Sequence, residues 1–256
     1  MKYCSGLLVL SLVTLVISQT DWSRKPFVEW STAEVKQVLN QSPWVKDQEV
    51  RIMQPAQSRP VAGAPAASAA GEALGAENNT ATVGGAEIPL DFIFTLRLRS
   101  ALPVRQALVR QKMLEANYDR MNPKDRAAFE QTNKGLLDCP ACAENYVVTL
   151  SSRSRNSPGA DAVFTVFKGA RLAELKRYVF IANEDGQRRE LVHFVAPRLP
   201  GDEAIFFFPR FDYERRPLFT PDNRWLTINF TDNQVNINTN FKIDVTQLVV
   251  NGEVLF

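Results

Sequence analysis

The stretch Asn122–Leu150, NPKDRAAFEQTNKGLLDCPACAENYVVTL, divides the chain into two characters. Asn122 has the side chain of a helix cap, Pro123 suits a first turn, and Asp125 sets negative charge at the positive end of the helix dipole. The spacing predicts a helix that packs Ala127, Ala128 and Phe129 and stops at Gly135, a residue free to adopt the left-handed conformation. Cys139-Pro140-Ala141-Cys142 follows, and Tyr146 to Ser152 then alternates as a half-buried strand does. Upstream of this stretch the pattern is mostly helical. Downstream it is mostly strands.

Working downstream, Arg153 to Gly159 is a polar loop, and Ala162 to Phe167 reads as strand or helix, with a helix leading through Leu172 and Leu175 preferred. Tyr178 to Ala182 and Glu190 to Ala196 read as a hairpin turning at Asp185-Gly186. Ile205 to Phe211, Trp225 to Phe230 and Phe241 to Val250 complete a set of short strands separated by Pro, Gly, Asn and Asp. Such a series favours an antiparallel sheet or sandwich over alternating strand-helix-strand units.

Working upstream, Phe92, Phe94, Leu96 and Leu98 alternate with Ile93, Thr95, Arg97 and Arg99, the clearest amphipathic strand in the chain. If Val45 to Met53, which alternates enough to be a strand, pairs with it, the segment between them is only a long connection. Between them, residues 54–87 are rich in Ala, Gly, Pro, Ser and Asn, with too few large apolar side chains to offset the entropy of ordering, and read as a disordered insertion. Ser31 and Glu34 form both halves of a capping box, with Trp30 and Val35 placed to pack across it; that helix should end near Asn40, before Pro43. A second helix runs from Pro103 to about Tyr118, with Val104, Leu108 and Met113 or Leu114 inward and Arg105, Arg110 and Lys112 outward.

Residues 1–18 carry Lys2, an apolar run from Leu7 to Ile17 and then Ser18, the anatomy of a secretory signal peptide cleaved after Ser18. Residues 19–53 then form an N-terminal helix and strand that pack onto a main domain, residues 88–256. Loss of Lys2 leaves 29 basic against 28 acidic side chains, a balance that gives no electrostatic footprint for nucleic acid. No further apolar segment approaches spanning length, so no membrane span is expected once the leader is gone. Asn78-Asn79-Thr80 and Asn229-Phe230-Thr231 fit the glycosylation pattern.

Of the three cysteines only Cys139 and Cys142 follow the leader, and in an oxidising compartment they are expected to pair. A Cys-Pro-Ala-Cys motif also suits thiol-disulfide exchange, but that chemistry usually sets its first cysteine at a helix N-terminus. Here a helix precedes the motif, which favours a structural disulfide. Two cysteines and His193 are too few for a zinc site, and no metal or other cofactor is expected. His193, flanked by Leu191 and Val195, reads as a packed or edge residue rather than a general base. Asp202, Glu203, Asp212, Glu214 and Asp222 crowd one region, but sequence proximity does not establish the spacing that glycoside cleavage needs. Phe206, Phe208, Arg210, Tyr213 and Trp225 form a candidate interaction surface if their rings are exposed; core burial is the competing reading. Pro209 hints that this strand lies at a sheet edge.

Lys25-Pro26, Trp30, Glu34-Val35, Ser42-Pro43-Trp44 and Arg99-Ser100-Ala101-Leu102-Pro103-Val104-Arg105, with Gly201-Asp202-Glu203-Ala204 ahead of Phe206-Phe207-Phe208-Pro209, resemble a group of uncharacterised exported bacterial proteins found notably among soil acidobacteria. The resemblance spans most of the chain after the leader. It implies export and a single unit, and it transfers no catalytic residue. The expected molecule is an α+β protein, an antiparallel sheet or sandwich with several short helices on it. Its expected role is a non-enzymatic binding or envelope-structural component, meeting a protein or glycan partner in a periplasmic or extracellular setting. The alternative is a periplasmic thiol-disulfide oxidoreductase using Cys139 and Cys142.

Overall fold

The computed structural model describes residues 22–54, 88–220, 222–232, 237–250 and 253–254. The signal-peptide reading, nearly all of the 54–87 insertion and the glycosylation pattern at Asn78 lie outside the described residues.

Alternation in β2 (Ile88–Leu98) decides the first sheet. Phe94, Leu96 and Leu98 are wholly buried on one face, and each such side chain contributes about 2 kcal/mol on leaving water. β1 (Val45–Gln54) pairs antiparallel with β2, from Val45 opposite Arg97 to Gln54 opposite Ile88. These two strands are therefore neighbours, and residues 55–87 join their adjacent ends. β3 (Asn145–Ser154) lies on the other side of β2, setting Leu150 against Leu96 and Val148 against Leu98.

The second sheet starts at β4 (Val179–Asn183), which turns through Gly186, at φ 80°, into β5 (Arg188–Glu190). The predicted hairpin is there, but its return strand splits. At the fully buried Leu191 the chain leaves for the first sheet, where β6 (His193–Val195) pairs with β7 (Ala204–Pro209). The split lets one segment serve both sheets. β8 (Trp225–Asp232) and β9 (Ile237–Asp244) complete the second sheet, and a small ribbon pairs β10 (Val249–Val250) with β11 (Glu253–Val254). The strand orders are β1-β2-β3-β7-β6 and β5-β4-β8-β9, antiparallel throughout.

Phe206 of the first sheet meets Phe230 of the second edge to face, centroids 5.0 Å apart, and Phe167 packs against both. Phe167 ends α5 (Ala162–Phe167), so the helix preferred for that segment is present, wedged into the core and followed by α6 (Leu172–Leu175). The α+β sandwich expected from the sequence is thus the fold. Pro209 does not mark an edge, because β7 lies between β3 and β6. It is the last residue of the strand, beyond the reach of β6, so its missing amide breaks no ladder. Asn229 sits within β8 and its side-chain amide donates to the Tyr178 carbonyl, an unsuitable setting for a glycan.

α1 (Thr32–Gln41) carries the full capping box: the Ser31 hydroxyl accepts from the Glu34 amide, and the Glu34 carboxylate accepts from the Ser31 amide at 2.8 Å. Val35, Val38 and Leu39 are buried, and Trp22 packs edge-on against both Trp30 and Trp44. α2 (Leu102–Glu115) packs on α1. Arg110 corrects the predicted helix face: it is 6% exposed, and its Nε donates to the Trp30 carbonyl at 2.9 Å. A charged head with an apolar stem can turn inward where a carbonyl awaits it.

α3 (Pro123–Asp138) departs from expectation twice. It runs past Gly135 to a left-handed cap at Cys139, and none of its residues is buried. Ala127, Ala128 and Phe129 are therefore not core residues. Consecutive positions point to different sides of a helix, and here Ala127 and Ala128 are exposed while Phe129 is half-buried.

Candidate functional site

The two cysteines sit where helix gives way to sheet. Cys139 caps α3 with φ 41°, its amide donating to the Gly135 carbonyl at 3.1 Å. A left-handed conformation is costly outside glycine, and here the next four residues hold it. The Cys142 amide donates to the Cys139 carbonyl at 2.8 Å, and a disulfide joins the two residues, Cα atoms 5.3 Å apart. Cys142 lies in α4 (Ala141–Glu144), which runs straight into β3. The pair is therefore a clip from the carbonyl end of a helix to the central strand of a sheet.

The end of β7 is bound to the same clip. The Arg210 Nε donates to the Cys142 carbonyl at 2.8 Å, and its backbone amide donates to the Glu144 carbonyl at 2.9 Å. Its guanidinium lies over the Tyr146 ring, 4.6 Å from the centroid. Burial pushes the Tyr146 phenol above its ordinary pKa, so it stays neutral. Burial also draws the Arg210 guanidinium down from its ordinary value. Arg105 donates from below to the Leu137 carbonyl in the last turn of α3, where positive charge complements the helix dipole.

Beyond Arg210 the chain forms a braced loop. Phe211 bridges to Pro217, and the Leu218 amide returns to the Arg210 carbonyl at 2.8 Å. The Asp212 carboxylate accepts from the amides of Glu214 and Arg216, each at 2.9 Å, and from the Arg216 Nε at 2.8 Å. Arg215, at φ 63°, stacks 4.3 Å from the Phe211 centroid and pairs with Glu144 at 2.6 Å. That pairing holds the Glu144 carboxyl below its ordinary pKa. At the tip stands Tyr213, 89% exposed. The arrangement presents a large aromatic side chain from a fixed backbone.

Four of the sequence-nominated residues, Cys139, Cys142, Arg210 and Tyr213, thus share one corner. Phe206 and Phe208 do not join them: both are fully buried, because alternate residues of β7 face the second sheet. Trp225 belongs to that second sheet, its ring flanked by Lys242 at 4.2 Å and Arg224 at 5.0 Å. Of the candidate interaction surface, Tyr213 and its arginine neighbours share the corner, and Trp225 lies apart. Tyr146 and Arg105 are corner residues that alternation and helical spacing assign only to a strand and an outer face.

His193 is exposed, stacked on Phe207 with centroids 4.9 Å apart, and has no hydrogen-bond partner among the described residues. It does not share a face with the buried Leu191, because the strand starts only after the crossing between sheets. Four of the five acidic residues are engaged separately, Asp212 within its loop, while Asp222 is exposed. Asp202 accepts from the amides of Arg198 and Leu199, Glu203 pairs with Arg97 at 2.6 Å, and Glu214 pairs with Arg216 at 2.9 Å. Among the described residues no group of three His, Cys, Asp or Glu could hold a metal ion, and no helix is long and apolar enough to cross a membrane. Compared with known proteins, the chain matches no family model, no curated protein and no solved structure.

Proposed function

We propose that this chain is an exported, non-enzymatic binding component of the cell envelope, clipped by one structural disulfide and engaging a protein or glycan partner through the Phe211–Pro217 loop. The loop carries the reading: its backbone is braced at both ends, and it holds out tyrosine beside arginine, residue types that dominate binding hot spots. A preorganised loop loses little conformational freedom on binding, so more of its contact energy appears as affinity. The leader-like residues 1–18 and the resemblance to exported proteins support the address. The position of the disulfide supports the structural role, since Cys139 lies at the negative end of α3, where a thiolate gains nothing from the dipole.

Thiol-disulfide exchange is the second reading, and one observation favours it: Arg105 and Arg210 bring positive charge to the carbonyls of Leu137 and Cys142, around the cysteines. The test is affinity capture from the native envelope with the mature protein, beside Tyr213→Ala and Cys139→Ser. The binding reading expects one partner to be retained by the native loop, retained by Cys139→Ser and lost with Tyr213→Ala. Catalysed reduction of insulin disulfides by the native protein, absent in Cys139→Ser, would replace it with the exchange reading.

A further inference from the structure

Arg97 and Glu203 take no part in the corner, yet they are the most enclosed ion pair on the polar face of the first sheet. Their side chains are 16% and 26% exposed. They form the floor of a cavity of about 530 Å³ between α1 and α2, a volume within the range of small-ligand sites. Val35 and Leu39 of α1 and Leu108 and Leu114 of α2 supply apolar walls.

The floor is rigid. The Arg97 Nε donates to the Leu39 carbonyl at 2.8 Å, Nη1 to the Ser151 hydroxyl at 3.3 Å and to Glu203 Oε1 at 2.6 Å, and Nη2 to Asn40 Oδ1 at 3.3 Å. Arg97 is thereby committed, and so is one oxygen of Glu203. The second oxygen, Oε2, has no partner among the described residues. At the rim, Lys36 is exposed and likewise without a partner, whereas Glu115 accepts from Gln111. The cavity therefore offers one acceptor at its floor, one cation at its mouth and apolar walls between.

We propose that this cavity binds a dipeptide-sized zwitterion with apolar side chains: its ammonium donates to Glu203 Oε2, its carboxylate pairs with Lys36, and its side chains lie against Leu108 and Leu114. A fixed acceptor at the floor and a cation at the mouth of an apolar slot select charge at both ends of the ligand. The site is distinct from the Tyr213 loop and does not depend on a partner there.

Titration calorimetry of the mature protein with leucyl-leucine tests the site, using N-acetyl-leucyl-leucine and leucyl-leucinamide as controls. The proposal expects a dissociation constant of about 1 mM or tighter, weakened about tenfold by acetylation, which removes the ammonium. Amidation and Lys36→Ala should each weaken it several-fold. Gln111→Trp, at an exposed position on α2, should fill the mouth and abolish binding with an unchanged melting temperature. Absence of binding to the native protein, equal affinity for the acetylated peptide, or undiminished binding to Gln111→Trp would each overturn the proposal.

Discussion

α1 and α3 make an instructive pair. α1 has 10 residues and buries four of them, Glu34, Val35, Val38 and Leu39; α3 has 16 residues and buries none. Both have a capping side chain at the start: Ser31 accepts from the Glu34 amide at 3.3 Å, and Asn122 from the Asp125 amide at 3.0 Å. The difference lies in what covers them. α1 is held along its length by packing, so its stability is that of the core. α3 is held chiefly at its ends, by Asn122 and by the disulfide. A long helix without buried residues draws little from the hydrophobic term that sustains most helices in folded proteins. Length and capping do not substitute for burial.

The sharpest way to break the comparison is Trp30→Ala. It empties a site only 2% exposed, where the indole lies edge-on to the Trp22 and Phe27 rings, and should cost about 4 kcal/mol, measured by urea unfolding. Glu34→Gln comes next, at about 2 kcal/mol near neutral pH, since it weakens the cap and leaves the Lys25 ammonium without its carboxylate. The hydrogen bond from Lys25, aided by the Ser31 amide and hydroxyl, holds the Glu34 pKa at about 2 against an ordinary 4.5. A lowered folded-state pKa means that this stabilisation is whole above pH 4.5 and fades as the pH falls toward 2. Unfolding free energies taken across that window should slope for the native protein and flatten for Glu34→Gln.

Smaller effects belong to α3. Replacing both Cys139 and Cys142 by serine should cost about 2 kcal/mol at most, because the closed loop is short, and should mainly loosen the last turn of α3 and α4. Phe129→Ala should cost only about 1 kcal/mol by thermal melting, since that ring is half-buried against Tyr118, at a centroid distance of 5.4 Å. A cost comparable to that of Trp30→Ala would mean that α3 belongs to the core.

The contrast also explains what could be read from residues alone. Alternation at Phe92, Phe94, Leu96 and Leu98 announced β2, and Ser31 with Glu34 announced α1, because these signals are local. Ala127, Ala128 and Phe129 show the limit: apolar residues in a helix do not say whether anything lies against them. Arg110 shows the same limit in reverse, as its acceptor, the Trp30 carbonyl, lies 80 residues away in the chain. Phe206 and Phe208 were open to burial or exposure until the second sheet was in place. At the corner, Cys139 and Cys142 were legible by type and spacing. The meeting of Arg105, Tyr146 and Arg210 was not, because it depends on the path that carries β7 beside β3.

The most direct measurement is native-state hydrogen exchange, amide by amide, on the oxidised and the reduced protein. If the disulfide is a clip on an otherwise self-sufficient sandwich, reduction should erase protection in the last turn of α3 and in α4 while the amides of β2, β3 and β8 keep theirs. Unchanged protection around Cys139 after reduction would contradict that account, showing that the thiols can cycle without structural consequence.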